Sequence, residues 1–189
     1  MKIIIARHGQ TIQNANRIAQ GHLPGKLSSL GIEQAKKLAL RLKDEKINVI
    51  YTSDLARAYD TAKEIAKYHK GIPFFAVEEL REHDLGELTG KSCDIFSWNP
   101  RPKEIESKAS MRKRAVKLLD KVYSNYPKGT ILFVGHGGIN KALMRGALNK
   151  PDDYPIGRIE NTSVIILDIN EKENKLLLMN CAKHLDQPK

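Results

Sequence analysis

The feature that most constrains the fold is an alternation of short apolar runs with longer amphipathic segments. The apolar runs are rich in β-branched and aromatic residues and lie at 2–6 (KIIIA), 47–51 (INVIY), 72–77 (IPFFAV) and 130–134 (TILFV). Such runs are typical of strands that are buried on both faces of a parallel sheet. Helical periodicity occupies the segments between and after them, at 28–45, 53–71, 107–126 and 138–149. This order predicts a mostly parallel sheet with helices on both faces.

Two of the helical segments have recognisable ends. Ser28 or Ser29 is expected to cap the first helix, and Ser53 or Asp54 the second, which should stop at Gly71. The inward-facing stripe of the first helix is predicted to contain Leu30, Ala35, Leu38 and Leu42. The corresponding stripe of the second is predicted to contain Leu55, Ala58, Ala62, Ile65 and Ala66.

The C-terminal region has a different pattern. Residues 161–182 contain two apolar runs around the polar turn NEKENK, which predicts a hairpin of antiparallel strands at the edge of the sheet. Residues 91–107 contain two prolines and no clean period, so we expect a surface loop or short cap in which Phe96 and Trp98 are packing residues. Because no repeat or linker is visible, residues 1–189 are predicted to form a single domain.

The composition is ordinary for a globular protein. Of 189 residues 41% are hydrophobic and 29% are charged, and no stretch approaches the roughly 20 apolar residues that a membrane span needs. Only four apolar residues follow Lys2, so we expect no targeting peptide and predict a cytoplasmic protein. Cys93 and Cys181 are far apart, which is typical of free thiols. The net charge of +10 favours anionic partners without choosing between nucleic acid and small phosphorylated molecules.

Charged side chains follow several of the predicted strands closely. Arg7 and His8 come directly after the first run, and His136 comes shortly after the fourth. Arg57 lies on the helix that follows the second run, and Glu82 follows the third. In an open α/β sheet, ligands bind beyond the carboxyl ends of the strands. We therefore expect these five side chains to meet at one edge of the sheet.

This set of residues suits phosphoryl transfer. The guanidinium forks of Arg7 and Arg57 match phosphate oxygens, and a histidine between arginines is held neutral because nearby positive charge disfavours the imidazolium. A neutral imidazole is a competent nucleophile toward phosphorus. Glu82 would protonate the leaving alkoxide and later act as a base for water. No HxH or HExxH spacing is present, so we predict no metal and no cofactor.

These residues belong to a series of motifs, RHGQTIQN (7–14), LSSLGIEQA (27–35), YTSDLARAYDTA (51–62), LREHDLGELTG (80–90), ES (106–107) and FVGHGGI (133–139). In this order the motifs resemble those of the histidine phosphatase superfamily, which includes the cofactor-dependent phosphoglycerate mutases. The resemblance extends from the first strand to at least 161–163. It implies a three-layer α/β/α sandwich of the phosphoglycerate mutase type, with a mostly parallel central sheet and antiparallel edge strands.

The resemblance also implies residue roles. His8 resembles the nucleophile that becomes phosphohistidine, and Glu82 resembles the acid/base carboxylate, preferred to Asp84 and Glu87 because it occupies the motif position. The other implied members of the catalytic set are Arg7, Arg57 and His136. The implied substrate-binding set is Arg7, Asn14, Gln20, Gly21, Arg57, His136 and Gly137.

Three functions remain open in the sequence. The segment between Gly90 and Glu106 is short compared with that of many relatives, and a short lid admits water, which favours hydrolysis. We therefore predict a phosphomonoesterase that acts on a small phosphorylated metabolite. The alternatives are a phosphoglycerate mutase and a basic nucleic-acid-binding module, for which no RRM, KH or helix-turn-helix signature is present. The sequence also allows a homodimer formed through exposed sheet edges. No catalytic role is expected for His22, His69, His83 and His184.

Overall fold

The computed structural model describes residues 1–93 and 104–186, whose six strands form one sheet in the order β3-β2-β4-β1-β5-β6. The strands are β1 (Lys2–Arg7), β2 (Val49–Ser53), β3 (Phe74–Val77), β4 (Thr130–Gly135), β5 (Val164–Asp168) and β6 (Lys175–Cys181). The first four strands are parallel to one another, whereas β5 pairs antiparallel with both β1 and β6. The predicted α/β fold, with a mostly parallel sheet and an antiparallel edge hairpin, is confirmed.

Helices cover both faces of the sheet. They are α1 (Ile12–Ala15), α2 (Ser29–Leu42), α3 (Ala56–Ala66), α4 (Lys108–Asn125) and α5 (Gly137–Ala147). Successive side chains of a strand point to opposite faces, so Ile3 and Ile5 of β1 pack with α4 and α5, while Ile4 and Ala6 pack with α2 and α3. This explains the unbroken apolar run of β1. Within the described ranges, none of the helices has the length and apolarity that a membrane crossing requires.

Two burial predictions were wrong. β3 lies at the edge of the sheet with β2 as its one partner, so it is not buried on both faces, and Phe75 is 44% exposed. Leu30 was expected on the inward stripe of α2 but is 49% exposed, because the inward face of the first turn is occupied by Gly31. The cap of α2 is Ser28, whose Oγ accepts the N–H of Gly31 at 3.0 Å.

The start of α3 also differs from the prediction. Its N-cap is Leu55, which makes no side-chain cap bond. Asp54 does not cap the helix because its carboxylate accepts hydrogen bonds from Arg81 Nε at 2.9 and 3.1 Å. Ser53 Oγ accepts from the N–H of Leu55 at 3.2 Å and so supports the turn before the helix. The helix ends at Ala66, before Gly71.

The register of β1 and β4 positions the predicted site. The two strands are parallel neighbours, Arg7 lies opposite Gly135, and the N–H of His8 donates to the carbonyl of Gly135 at 3.0 Å. His8 and His136 therefore leave the sheet at the same level on its carboxyl edge.

The predicted cap at 91–107 is described only in part. Residues 94–103 lie outside the described residues, and Phe96 and Trp98 are among them.

Candidate active site

The side chains of His8 and His136 lie next to each other at the carboxyl edge of the sheet. Their ring centroids are 5.1 Å apart, and the ring planes are inclined at 60°. Both rings are almost fully buried, with exposures of 2% for His8 and 0% for His136. The structure thus brings together two residues that are 128 positions apart in the sequence (136 − 8).

Hydrogen bonds assign opposite tautomers to the two neutral rings. Nδ1 of His8 is 2.7 Å from the carbonyl oxygen of Gly9, which can only accept, so Nδ1 carries the proton and Nε2 has a free lone pair. Nδ1 of His136 accepts from Nε of Arg57 at 3.1 Å, so its ring proton is on Nε2. Burial, with the charges of Arg7 and Arg57, lowers the pKa of both histidines well below the usual value.

Arg57 is a buried guanidinium held by backbone carbonyls. Nη2 donates to the carbonyl of Gly21 at 2.9 Å, and Nη1 donates to the carbonyls of Leu23 and Pro24. Burial is the main reason why the pKa of Arg57 falls to about 10, with the carboxylate of Glu82 acting in the opposite direction. Arg57 therefore remains charged at neutral pH, and its position is fixed by neutral partners.

Arg7 and His136 each present a buried donor that has no acceptor in the part of the chain that the structure describes. Nη1 of Arg7 donates to the carbonyl of Ile159 at 2.6 Å, but Nε is buried without a hydrogen-bond partner. Nε2 of His136 is likewise buried and unpartnered. Of the ion pairs within 1–93 and 104–186, none includes Arg7 or Arg57. Because a buried donor without an acceptor is costly, this arrangement is suited to an anion.

Glu82 faces the same region from the opposite side. Its carboxylate accepts the N–H of Gly138, at the start of α5, with distances of 3.0 Å to Oε1 and 3.2 Å to Oε2. The N–H of His83 also donates to Oε1, at 2.9 Å. Glu82, Arg7, His8 and Gly138 are among the residues that line a cavity of about 280 Å³. Glu82 thus borders the cavity that His8 also lines.

The other residues predicted to bind substrate lie around this cavity. Asn14, Gln20 and Gly21 line it together with Arg57. Oδ1 of Asn14 accepts the N–H of Thr11 at 3.2 Å, and Oε1 of Gln20 accepts from Thr11 Oγ1 at 3.0 Å. These two bonds fix the loop that carries both side chains.

His136 and Gly137 are not among the residues that line the cavity, but His136 contacts two residues that do, His8 and Arg57. A Cβ added to Gly137 would lie 3.7 Å from Oε2 of Glu82 and 4.0 Å from Nε of Arg7. All the residues predicted for the site are therefore gathered at one edge of the sheet.

Comparison with known proteins identifies the family. A sequence profile of the histidine phosphatase superfamily, branch 1, matches residues 3–182. The chain belongs to this superfamily. Phosphoglycerate mutase-like protein 4 of Arabidopsis thaliana is 33% identical over 179 residues, which are 86% of this chain and 77% of that protein. The metal-independent phosphoserine phosphatase of the same plant is 28% identical over 188 residues, which are 91% of this chain and 78% of that one.

A solved phosphatase structure shows the same fold. The mycobacterial glucosyl-3-phosphoglycerate phosphatase, determined in complex with VO3, superimposes with a TM-score of 0.88. The two sequences are 28% identical, and the match covers 95% of this chain and 99% of the other.

Within the described parts of the chain, no group of three or more His, Cys, Asp or Glu side chains is arranged to hold a metal ion.

Several residues at this histidine phosphatase site were missed by the sequence analysis. Thr61 Oγ1 accepts the N–H of Gly9 at 3.1 Å and donates to the carbonyl of Arg57 at 2.7 Å. The spacing of Thr61 and Arg57, one helical turn apart, is the signal that could have revealed it. Asn161 was also missed, and its Nδ2 donates to the carbonyl of His8 at 2.9 Å. Cys93, which was predicted only as a free thiol, lines the cavity.

Proposed function

We propose that the protein is a metal-independent phosphomonoesterase that acts through a phosphohistidine intermediate on His8. The observation that carries the proposal is a pair of buried donors, Arg7 Nε and His136 Nε2, that have no acceptor among the described residues. They lie beside the guanidinium groups of Arg7 and Arg57, neither of which forms an ion pair within 1–93 and 104–186. A phosphoryl group would accept from both donors and balance the buried positive charge. Relatives named as phosphatases support the same activity.

In the first step, the lone pair of His8 Nε2 attacks the phosphorus, and the bond between phosphorus and the ester oxygen breaks. The hydrogen bond from His8 Nδ1 to the carbonyl of Gly9 supports the positive charge that develops on the ring. Arg7, Arg57 and His136 stabilise the charge on the phosphoryl oxygens. Glu82, in its protonated form, gives its proton to the leaving oxygen, so that a neutral alcohol departs.

In the second step, the Glu82 carboxylate removes a proton from a water molecule while the water oxygen attacks the phosphorus. The bond between phosphorus and His8 Nε2 breaks, its electron pair returns to the imidazole, and inorganic phosphate is released. Glu82 is again protonated and His8 is again neutral. The low pKa of His8 favours this cycle because the nucleophile does not have to lose a proton before it attacks.

The proposed substrates are small phosphorylated metabolites. A cavity of about 280 Å³ admits a phosphoryl group with a small organic part. Relatives named for phosphoserine and for glucosyl-3-phosphoglycerate make phosphorylated hydroxy acids and amino acids the first compounds to test. The relative named phosphoglycerate mutase-like protein 4 keeps mutase activity as the second candidate. A homodimer remains a prediction that light scattering in solution can test.

The proposal can be tested with a panel of phosphate monoesters in the presence of EDTA. Wild type should release inorganic phosphate. With a ³²P-labelled ester, the labelled phosphoryl group should be trapped on His8 as acid-labile phosphohistidine. His8→Ala should lose both, whereas the matched control His69→Ala, a histidine three residues after the end of α3 and outside the site, should retain them. Undiminished turnover by His8→Ala would contradict the proposal. Isomerisation of phosphoglycerates that needs a bisphosphate would instead identify a mutase.

A further inference from the structure

Arg114 of α4 is bonded to the loop that carries Glu82 through a full set of hydrogen bonds. Nε and Nη2 donate to the two carboxylate oxygens of Glu106, at 2.8 and 2.9 Å. Nη1 donates to the carbonyls of Glu79 and Arg81 at 2.7 and 2.6 Å, and Nη2 donates to the carbonyl of Glu82 at 3.1 Å. A guanidinium has five N–H donors in a fixed plane. All five are used, and three of them hold carbonyls of the Glu82 loop.

The partner of Arg114 is itself attached to the same loop. The side chains of Glu106 and Arg114 are only 13% and 19% exposed. The N–H of Asp84 donates to Oε2 of Glu106 at 3.3 Å, and the N–H of Glu106 donates to the carbonyl of Asp84 at 3.0 Å. Burial raises the pKa of Glu106, but the hydrogen bonds and charge of Arg114 together with the bonds from Asp84 and Ser110 outweigh it, so the pKa is lower than usual. The pair therefore stays ionised and connects α4 to both ends of the segment 79–84.

The position of this loop depends on such bonds because it separates two open spaces. On one side is the cavity of about 280 Å³ that contains His8. On the other is a cavity of about 640 Å³, whose lining includes Arg114, Glu106 and His22. Nε2 of His22 adds one bond to the carbonyl of Glu82, at 2.8 Å. Leu80 anchors one end of the segment in the hydrophobic core, and the polar bonds from Arg114 and His22 hold the carbonyls around Glu82.

We propose that Arg114 is a positioning residue that holds the carboxylate of Glu82 where it can transfer a proton to the leaving oxygen. The inference rests on the proposed function, in which Glu82 is the proton donor. It assigns Arg114 no contact with the substrate. A displaced Glu82 would slow only those steps that need its proton, which distinguishes positioning from a general structural role.

The test compares two esters in rapid-quench measurements of phospho-His8 formation. p-Nitrophenyl phosphate releases a stable phenolate and needs little protonation, whereas glycerol 2-phosphate releases an alkoxide and needs the proton. For Arg114→Met and Arg114→Lys, the rate with glycerol 2-phosphate should fall by about 100-fold, the effect of a displacement near 1 Å. The rate with p-nitrophenyl phosphate should fall by less than about 3-fold, because general acid catalysis contributes little to that step. Phospho-His8 should then accumulate, because its hydrolysis also needs Glu82.

The matched control is Arg112→Met, because Arg112 lies on the same helix but bonds to Lys150 and Asp152. It should behave as wild type. The ratio of the rates with the two esters is independent of the folded fraction, so partial unfolding of Arg114→Met does not obscure the result. Arg114→Lys keeps the positive charge and therefore separates loss of the bonds from loss of the charge. An equal fall with both esters, or no fall, would overturn the inference. Failure of the proposed function looks different, since wild type and Arg112→Met would then form no phospho-His8 from either ester.

Discussion

Gly138 offers a second way to displace Glu82, this time with a single methyl group. A Cβ added to Gly138 would lie 2.4 Å from Oε1 of Glu82, whereas ordinary contact begins at 3.4 Å, so the oxygen must retreat by about 1 Å (3.4 − 2.4). Met111 Cε would be at 3.4 Å, an ordinary contact distance. Gly138 is not among the glycines with positive φ, so alanine fits its backbone and should favour the helix by about 0.5–1 kcal/mol.

Gly138→Ala is therefore expected to be at least as stable as wild type but catalytically impaired. A misplacement of about 1 Å at a reacting group can reduce the rate by about 100-fold, and general acid catalysis contributes at least that much. The assay is the rate of phospho-His8 formation from glycerol 2-phosphate, measured together with thermal unfolding. In a double-mutant cycle, Gly138→Ala should have almost no effect when Glu82 is already alanine, because the displaced group is then absent.

Two results would refute this reasoning. If Gly138→Ala reacts at the wild-type rate, the carboxylate does not need the position that it occupies beside Gly138. If Gly138→Ala slows a protein that already carries Glu82→Ala, the methyl group acts on something other than Glu82. Gly157→Ala is a suitable control for the extra methyl group, since no described residue lies within 4 Å of the position that its Cβ would occupy.

Three further outcomes follow from the same structure. In rapid-quench measurements, His136→Phe should form phospho-His8 at a rate about 100-fold or more below that of wild type. His136→Gln should react faster than His136→Phe, because its amide can still donate a hydrogen bond. Equal rates for the two variants would contradict a donor role. Inorganic phosphate at 100 times its Kd should raise the free energy of unfolding of wild type by about 2.7 kcal/mol in denaturant titrations, and Arg7→Gln should lose most of this gain. Burial, with Arg41 and Lys37 nearby, lowers the pKa of His184 from 6.5 to about 4. Between these two pH values the unfolded chain binds a proton that the folded protein does not. The free energy of unfolding should therefore decrease as the pH is lowered from 6.5 to 4, and His184 should contribute about 3 kcal/mol to this decrease. The fall should be smaller in His184→Phe, and an unchanged pH dependence would contradict the assignment.

The sheet could be predicted because its signals are local. The apolar runs of β1 and β4 are continuous because both faces of each strand are covered, and such runs are visible without any knowledge of neighbours. β3 has an equally apolar sequence but lies at the edge, and edge position is a property of strand order that no single run contains. Leu30 fits the helical period but falls outside the buried face for a similar reason.

The site was predictable to the extent that strand ends determine it. His8, His136 and Arg57 all follow strands of a parallel sheet, so the rule for carboxyl ends places them together. Thr61 and Arg114 could not be found in this way, since the contacts that connect them to the site, with Gly9 N–H and with the carbonyls at 79–82, are to backbone groups of other segments. Arg114 in particular belongs to a basic helix whose charges are otherwise compatible with a solvated face. Its role depends on carbonyls more than 30 positions away, at 79–82.

The two histidines show how similar sequences acquire different chemistry. Each follows an apolar strand and precedes a glycine, and each is buried and neutral. Each ring has a different partner at Nδ1, because the Gly9 carbonyl requires a proton on Nδ1 of His8, whereas Arg57 requires a lone pair on Nδ1 of His136. The Nε2 atom of His8 is therefore an electron-pair donor, and that of His136 is a hydrogen-bond donor. Since a phosphoryl group needs both at once, at the phosphorus and at an oxygen, Arg57 contributes to the proposed chemistry through the tautomer of His136 as well as through its own charge.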